Sequence, residues 1–429
     1  MKLKVLMLGW EFPPFTFGGL GIASYYISKY VSLLGNKVIW ALPFSTKSLK
    51  KIKNTDFIDI GDFEFLDLGD DLFFDSYFYF ETKEEMLFFL KQLIENLKIN
   101  DSASSEKLLY ILYSNISKKI DLFKAKVINY YKSGKLDFDL IHCHDWPTLK
   151  AGVALKDLSN KPLFVHVHST EYDRSGFNPD PFKESIEREA YKRADKIFAI
   201  SKRIKDIIVK YYGIDPSKIE VTYNGFELKK EHFDFSVLKE KKKKGYKIVL
   251  FMARLTLHKG PDYFLKAAKL VLDHLKKKNK DKVIFVVAGS GEKFPELVNI
   301  ALDLGIADKV FFTGYLRGKE VEEMYKIADV FVLSSVSEPF GLTPLESIAI
   351  GKCPVIISKQ SGVAEVLNHC FKVDFWDVEE MANKIYSLLE YDILKEEQIK
   401  NAFEEIKRIS WLDTAKKIVE NYLKILRLK

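Results

Sequence analysis

The chain has 429 residues, 67 of them Lys or Arg and 60 Asp or Glu, for a net charge of +7, with 47% hydrophobic and 30% charged residues. That length holds two ordinary domains with separate cores, and the balance of apolar and charged residues is that of a globular chain. No run of eighteen apolar residues offers a membrane span, the three cysteines (Cys143, Cys353, Cys370) are odd in number and far apart, and the lysines are scattered, so a transmembrane segment, a disulfide framework and a nucleic-acid partner are not expected, and a reducing cytoplasm is.

The first eleven residues, M-K-L-K-V-L-M-L-G-W-E, reach an acidic residue early and lack a small-residue cleavage site, so residues 4–9 read as a first strand and not as a signal peptide. Pro13-Pro14 bars helix in the next loop, and Gly18-Gly19-Leu20-Gly21 opens a helix that stops at Gly35-Asn36. Gly19-x-Gly21 is not a dinucleotide fingerprint. The loop before it is too long, and the second strand, residues 37–42, runs into Pro43-Phe44 with no acid to hold a ribose. Gly18 and Gly19 are instead expected to let backbone amides approach a phosphate at a helix N-terminus. Residues 57–80 alternate apolar and acidic side chains and predict hairpin strands; residues 84–132 predict two or three helices, broken at 100–105.

Two further strands end in His142-Cys143-His144-Asp145-Trp146 and in His166-Val167-His168, so four of the eight histidines lie at neighbouring strand ends. Residues two apart on a strand share a face, which raises a metal site, but no cysteine or carboxylate completes a known ligand spacing. They are therefore read as polar groups lining the mouth of a cleft, with no metal. Asn224-Gly225 is a turn signal, and the lysine run 239–244 with Gly245 is the expected interdomain linker.

The second half begins with a strand at 246–252 that runs into Ala253-Arg254-Leu255-Thr256-Leu257-His258-Lys259-Gly260-Pro261. Arg254 and Lys259 stand beside a helix N-terminus, where two cations are unfavourable without an anion, so this is a phosphate-site pattern. Arginine grips phosphate oxygens in pairs and lysine acts as a point charge. Strands at 283–288 and 310–312 run into Gly289-Ser290-Gly291 and Thr313-Gly314-Tyr315-Leu316. A buried strand at 328–334 leads into S-E-P-F-G-L-T-P-L-E, residues 337–346. Strand, loop and helix form half of a βαβ unit, whose ligands bind at the carboxyl ends of the strands. Thr343 reads as an N-cap with Pro344 in the first helical turn, leaving the amides of Gly341, Leu342 and Thr343 to face an anion. Glu346 fits a capping box with Thr343. Glu338 precedes a proline at the mouth of the sheet and has no such structural reading.

E-x7-E from Glu338 to Glu346, together with R-x4-K from Arg254 to Lys259, resembles the retaining, nucleotide-sugar-dependent glycosyltransferases of the GT-B type, by pattern the family-4 enzymes and the glycogen and starch synthases. The resemblance implies an α/β chain of two Rossmann-like domains facing each other across a cleft. The first, 1–238, would be the acceptor side, completed by the C-terminal helix 411–429; the second, 245–410, would bind the nucleotide sugar. The implied activity is that of a hexosyltransferase, moving glucose or another hexosyl unit from a nucleoside diphosphate sugar to a carbohydrate or small-molecule acceptor, with retained configuration and without metal or other cofactor. Arg254, Lys259 and the amides at Gly18, Gly19, Gly341, Leu342 and Thr343 would hold the donor diphosphate. Glu346 would bind the ribose, Gly289, Tyr315 and Leu316 would flank ribose and base, and Glu338 would orient the donor sugar. His144, in a stretch similar to that of glycogen synthases, and His168 would approach the transferred sugar and the acceptor, with Asp145, Glu171, Asp173 and Arg174 as acceptor contacts. Glycogen synthases carry K-x-G-G-L at the first glycine loop, where this chain has Thr16 in the lysine's place. A sugar-nucleotide 2-epimerase shares the architecture but does not carry both motifs, and a non-catalytic sugar-binding protein has no use for the phosphate-site cations.

Overall fold

The computed structural model describes residues 2–12, 19–43, 63–65, 102–226, 236–278, 282–316 and 319–427. The chain forms two compact units, Met1–Gly225 with Trp411–Lys429, and Phe226–Ser410.

The first unit is built on a parallel sheet of β1 (Lys4–Leu8), β2 (Lys37–Ala41), β3 (Phe63–Phe65), β4 (Leu140–His144), β5 (Leu163–Val167), β6 (Lys196–Ala199) and β7 (Ile219–Val221), in the order β3-β2-β1-β4-β5-β6-β7. β4 and β5 are buried at every position because helices cover both faces of such a sheet. The last helix, Trp411–Arg427, packs on the first, Gly19–Leu33, with Trp411 stacked on Tyr26 at 5.3 Å. Its Trp411, Ala415, Ile418 and Tyr422 join Trp40, Phe164 and Phe198 in one core, so the chain's end completes the unit that its beginning started.

The second unit has β8 (Lys247–Met252), β9 (Val283–Ala288), β10 (Val310–Gly314), β11 (Val330–Leu333), β12 (Val355–Ser358) and β13 (Phe371–Val373), all parallel, in the order β10-β9-β8-β11-β12-β13. Phe251, Phe264 and Phe285 anchor its core. In each unit the strand order reverses beside the first strand: between β1 and β4, and between β8 and β11. Open α/β sheets leave a crevice at that point, outside the carboxyl ends of the strands.

Two expectations about the elements need correction. The lysine run is no linker: residues 239–243 belong to the helix Ser236–Lys243, where cations suit the C-terminal end of the helix dipole. Lys239 pairs with Glu323 at 2.9 Å and Lys242 with Asp329, fixing that helix to the second unit, and the passages between units fall instead at 225–226 and 410–411. Phe63–Phe65 pairs parallel to β2, Val38 opposite Phe63, and is the edge strand among the described residues; the rest of 57–80, where hairpin strands are expected, lies outside them. The helix Ser102–Lys132 runs unbroken through 102–105, since serines are welcome in a first helical turn; residues 84–101 lie outside the described residues. Among the described residues no helix is long and apolar enough to cross a membrane.

Candidate functional site

The two motifs meet at the strand-order reversal of the second unit. R-x4-K lies on the loop leaving β8 and E-x7-E on the loop leaving β11, and β8 and β11 are hydrogen-bonded neighbours. The loops are stitched together by backbone. Ser337 N donates to His258 O at 3.1 Å, and the Ser334 hydroxyl donates to Gly260 O at 2.8 Å. Gly260 has φ 61°, and a Cβ there would come within 2.2 Å of the Ser334 carbonyl oxygen, so the contact requires glycine. Lys259 Nζ then reaches Glu338 Oε2 at 2.8 Å, with the two side chains 13% and 11% exposed. The Ser335 hydroxyl lies at 3.5 Å from the same oxygen. The Glu338 backbone is held on its other side, its N–H donating to Gln360 O at 3.1 Å and its C=O accepting from Gly362 N at 2.9 Å. Glu338 is thus a carboxylate fixed by its main chain, with its side chain turned onto the loop's cation.

After Glu338 the chain turns at Gly341, φ 95°, into the helix Thr343–Glu346 and a wider turn, Ser347–Gly351. The amides of a first helical turn have no acceptor within the helix, which leaves Leu342 and Thr343 suited to an anion. The expected capping box does not form: Leu342 occupies the N-cap position, without a side-chain bond. Glu346 Oε2 instead accepts from the Tyr325 hydroxyl at 2.9 Å. Burial, and then Glu346 itself, push the Tyr325 phenol well above its usual range, so it stays a donor. Nothing in the sequence links Tyr325 to Glu346 across 21 positions; the pairing follows from packing of the helix Lys319–Ile327 against that turn. Tyr315 is 55% exposed and Leu316 is partly buried beyond the end of β10. The Gly289 amide is already committed, donating to Gly314 O at 2.8 Å, so it holds the two loops together and is not offered to a nucleotide. Gly18 lies outside the described residues, and Gly19 is the first residue of its helix.

The first-unit candidates are differently placed from the sequence expectation. His144 is fully buried and His168 is 6% exposed, and neither presents a ring nitrogen to solvent: His144 Nδ1 and His168 Nε2 face each other at 3.1 Å. Burial, and then the nearby charge of His168, holds His142 down at about 3; burial alone does the same to His168. Neutral, inward-facing imidazoles do not line an open mouth. Asp145, at φ 57°, is a strained non-glycine residue. Its Oδ1 accepts from His168 N at 2.7 Å, tying the end of β4 to the end of β5. Glu171, Asp173 and Arg174, expected on an open loop, form the short helix Glu171–Arg174 and are buried. Arg174 donates to Glu171 at 3.1 Å, to Glu187 and to the Ser169 hydroxyl, while Asp173 closes a capping box with Thr170. These groups satisfy one another and brace residues 168–170. All three cysteines are free, and burial pushes their thiols up to about 12, so they are held in the protonated form.

Comparison with known proteins agrees with this division. The family model for Glycosyl transferases group 1 matches residues 233–405, and that for Glycosyltransferase Family 4 matches residues 107–230. An uncharacterized glycosyltransferase of Methanocaldococcus jannaschii is 32% identical over 244 residues, which is 54% of this chain and 60% of that protein, less than two thirds of its length. A D-inositol 3-phosphate glycosyltransferase of Corynebacterium kroppenstedtii is 25% identical over 354 residues, 76% of this chain and 77% of that protein. The structure of Anabaena HepE in complex with UDP-glucose superposes with a TM-score of 0.68 at 17% identity, covering 98% of this chain and all of that one, a likeness of fold. With two parallel α/β units and a family match in each, the chain belongs to the GT-B glycosyltransferases of the family-4-like type.

Proposed function

We propose that this chain is a retaining hexosyltransferase that moves a hexosyl unit, glucose first among candidates, from a nucleoside diphosphate sugar to a carbohydrate or small-molecule acceptor. The observation that carries the reading is the meeting of Lys259 and Glu338 at the point where the strand order of the second unit reverses. A cation for a departing diphosphate and a carboxylate for sugar hydroxyls are thereby in contact on a rigid frame. In this reading Arg254 and Lys259, with the amides of Gly341, Leu342 and Thr343, stabilise the negative charge that develops on the leaving diphosphate, commonly the largest catalytic term. Glu346, oriented by Tyr325, accepts hydrogen bonds from the ribose, and Tyr315 and Leu316 flank the base. Glu338 exchanges Lys259 for the donor sugar's hydroxyls and fixes the sugar's orientation.

Retention follows if the acceptor attacks from the face that the diphosphate leaves. The leaving phosphate oxygen then takes the acceptor's proton, and no side-chain base is required, which suits histidines that are buried and neutral. Cationic side chains and helix amides do the phosphate work, so no divalent ion enters the transfer step. The UDP-glucose bound to HepE and the inositol phosphate acceptor named for the Corynebacterium enzyme support a nucleotide-sugar donor and a small polar acceptor. The reading is tested by nucleoside diphosphate release from UDP-, ADP- and GDP-sugars, with and without glucan, monosaccharide and sugar-phosphate acceptors. Acceptor-stimulated release with one donor supports it. Turnover of the donor sugar to its 2-epimer, or binding without turnover, contradicts it.

A further inference from the structure

Taking Glu338 to orient the donor sugar, as proposed above, we infer that Gln360 is its positioning residue. The Gln360 side-chain amide, clamped by the residues that follow β13, fixes the carbonyl that receives the Glu338 N–H. Nothing in the sequence singles Gln360 out: Ser358-Lys359-Gln360-Ser361 is the polar stretch after the apolar run of β12.

The clamp is set by register. β12 and β13 pair in parallel with Ser358 opposite Val373, and Lys359 N donates to Val373 O at 2.8 Å. Gln360 and the pair Asp374-Phe375 therefore run side by side at the carboxyl end of the sheet. Gln360 Nε2 donates to Asp374 Oδ1 at 2.9 Å, and its Oε1 accepts from Phe375 N at 3.4 Å. A carboxylate only accepts and a backbone N–H only donates, so the amide faces them one way round. Oε1 also accepts from the Ser358 hydroxyl at 2.9 Å, and the Gln360 N–H donates to that hydroxyl at 3.0 Å. The other Asp374 oxygen takes exposed Lys359 at 2.8 Å, which leaves Oδ1 to Gln360.

With its other polar groups engaged in this way, the Gln360 carbonyl is held in one place. It accepts from Glu338 N at 3.1 Å, while Gly362 N donates to Glu338 O at 2.9 Å. Glu338 and Ser361 thus form a parallel bridge between the loops leaving β11 and β12, and from that bridge the Glu338 carboxylate reaches Lys259. A main-chain shift at Glu338 carries the carboxylate with it, and a misplacement of about 1 Å in a site can cost on the order of a hundredfold in rate. Phe375 packs edge-on against Tyr263 at 5.0 Å, on the helix Pro261–Lys277 that follows Lys259. The clamp on Glu338 therefore rests on the helix that continues from the R-x4-K loop.

The test reverses the polarity of the clamp in the full chain, with transfer measured from UDP-, ADP- or GDP-glucose, whichever the wild type turns over. Gln360→Glu sets a carboxylate against Asp374 and should lower kcat by about tenfold or more, while the bare nucleoside diphosphate binds no less tightly than to wild type. Adding Asp374→Asn restores the bond with donor and acceptor exchanged, and should return kcat to within about threefold of wild type. In a Glu338→Ala chain, Gln360→Glu should change the residual rate by less than about twofold, because Gln360 acts through Glu338. Wild-type kcat in Gln360→Glu overturns the inference. So does a loss of diphosphate affinity in step with kcat, or a full effect in the Glu338→Ala chain, since either makes Gln360 a general support of the loop. Should Gln360→Glu fail to fold, Asp374→Ala removes the clamp from its exposed side: the same fall in kcat at unchanged diphosphate affinity supports the inference, and normal kcat overturns it. A wild type that transfers from none of the three donors refutes the proposed function and this role with it, whereas a transferring wild type indifferent to Gln360 refutes this role alone.

Discussion

Removing the Glu338 side chain should tighten binding of a bare nucleoside diphosphate even as it abolishes transfer. In the unliganded protein Lys259 is paired with Glu338 at 2.8 Å, so a diphosphate that takes Lys259 must first displace that carboxylate. A charge-assisted hydrogen bond contributes roughly 1.5–3 kcal/mol, and because both side chains keep about a tenth of their surface in water the lower end applies. That corresponds to about a tenfold gain in affinity for UDP, ADP or GDP in Glu338→Ala, measurable by isothermal titration calorimetry. The loop should keep its shape, since Gln360 O and Gly362 N hold the Glu338 backbone independently of its side chain. Lys259→Ala should weaken the same ligand by about tenfold or more. The double variant should match Lys259→Ala, because Glu338 acts on the diphosphate only through Lys259. A Glu338→Ala chain that binds the diphosphate no more tightly than wild type, or a double variant tighter than Lys259→Ala, would refute the exchange of partners.

Glu338→Ala should also lower the transfer rate by several orders of magnitude while the chain keeps its native circular dichroism spectrum; near-normal turnover would remove Glu338 from the mechanism. Tyr325→Phe removes the donor to Glu346 at a cost of about 0.5–1.5 kcal/mol, and should raise KM for the sugar nucleotide a few-fold with little change in kcat. Unaltered donor KM would detach Glu346 from the ribose. Initial rates taken well below Tm should persist in EDTA; complete loss restored by Mg2+ or Mn2+ would contradict diphosphate binding by side chains and amides. Trp411→Ala should destabilise the first unit by about 3–5 kcal/mol, read by thermal or urea melts, because that ring is buried against Tyr26 in the core.

The meeting of the two motif loops in the second unit was legible because its signals are local. Glu338, Arg254, Lys259 and the glycine turns sit within a few residues of strands whose apolar runs identify them, and the reversal of strand order then brings the two loops together. What the sequence did not disclose depends on distant partners. Thr343-x-x-Glu346 has the spacing of a capping box, yet Tyr325, 21 positions earlier, claims the carboxylate. Glu171, Asp173 and Arg174 look like exposed loop residues until Glu187, on the helix Pro181–Arg193, neutralises Arg174 inside the unit. The same holds for the histidines. Nothing along the chain shows that the two H-x-H pairs turn inward, and only the β4–β5 register sets His144 opposite His166. The lysine run misled because charge alone suggests a solvated linker, whereas Glu323 and Asp329 make it a docked helix.

The central claim is a sugar transferred from a nucleoside diphosphate with its configuration kept, and a proton NMR time course tests it most directly. With an α-linked sugar nucleotide and an acceptor that stimulates release, the account predicts an α-linked initial product appearing at the rate of nucleoside diphosphate release. A β-linked initial product, or an anomeric signal that moves to a 2-epimer of the donor sugar, would contradict it.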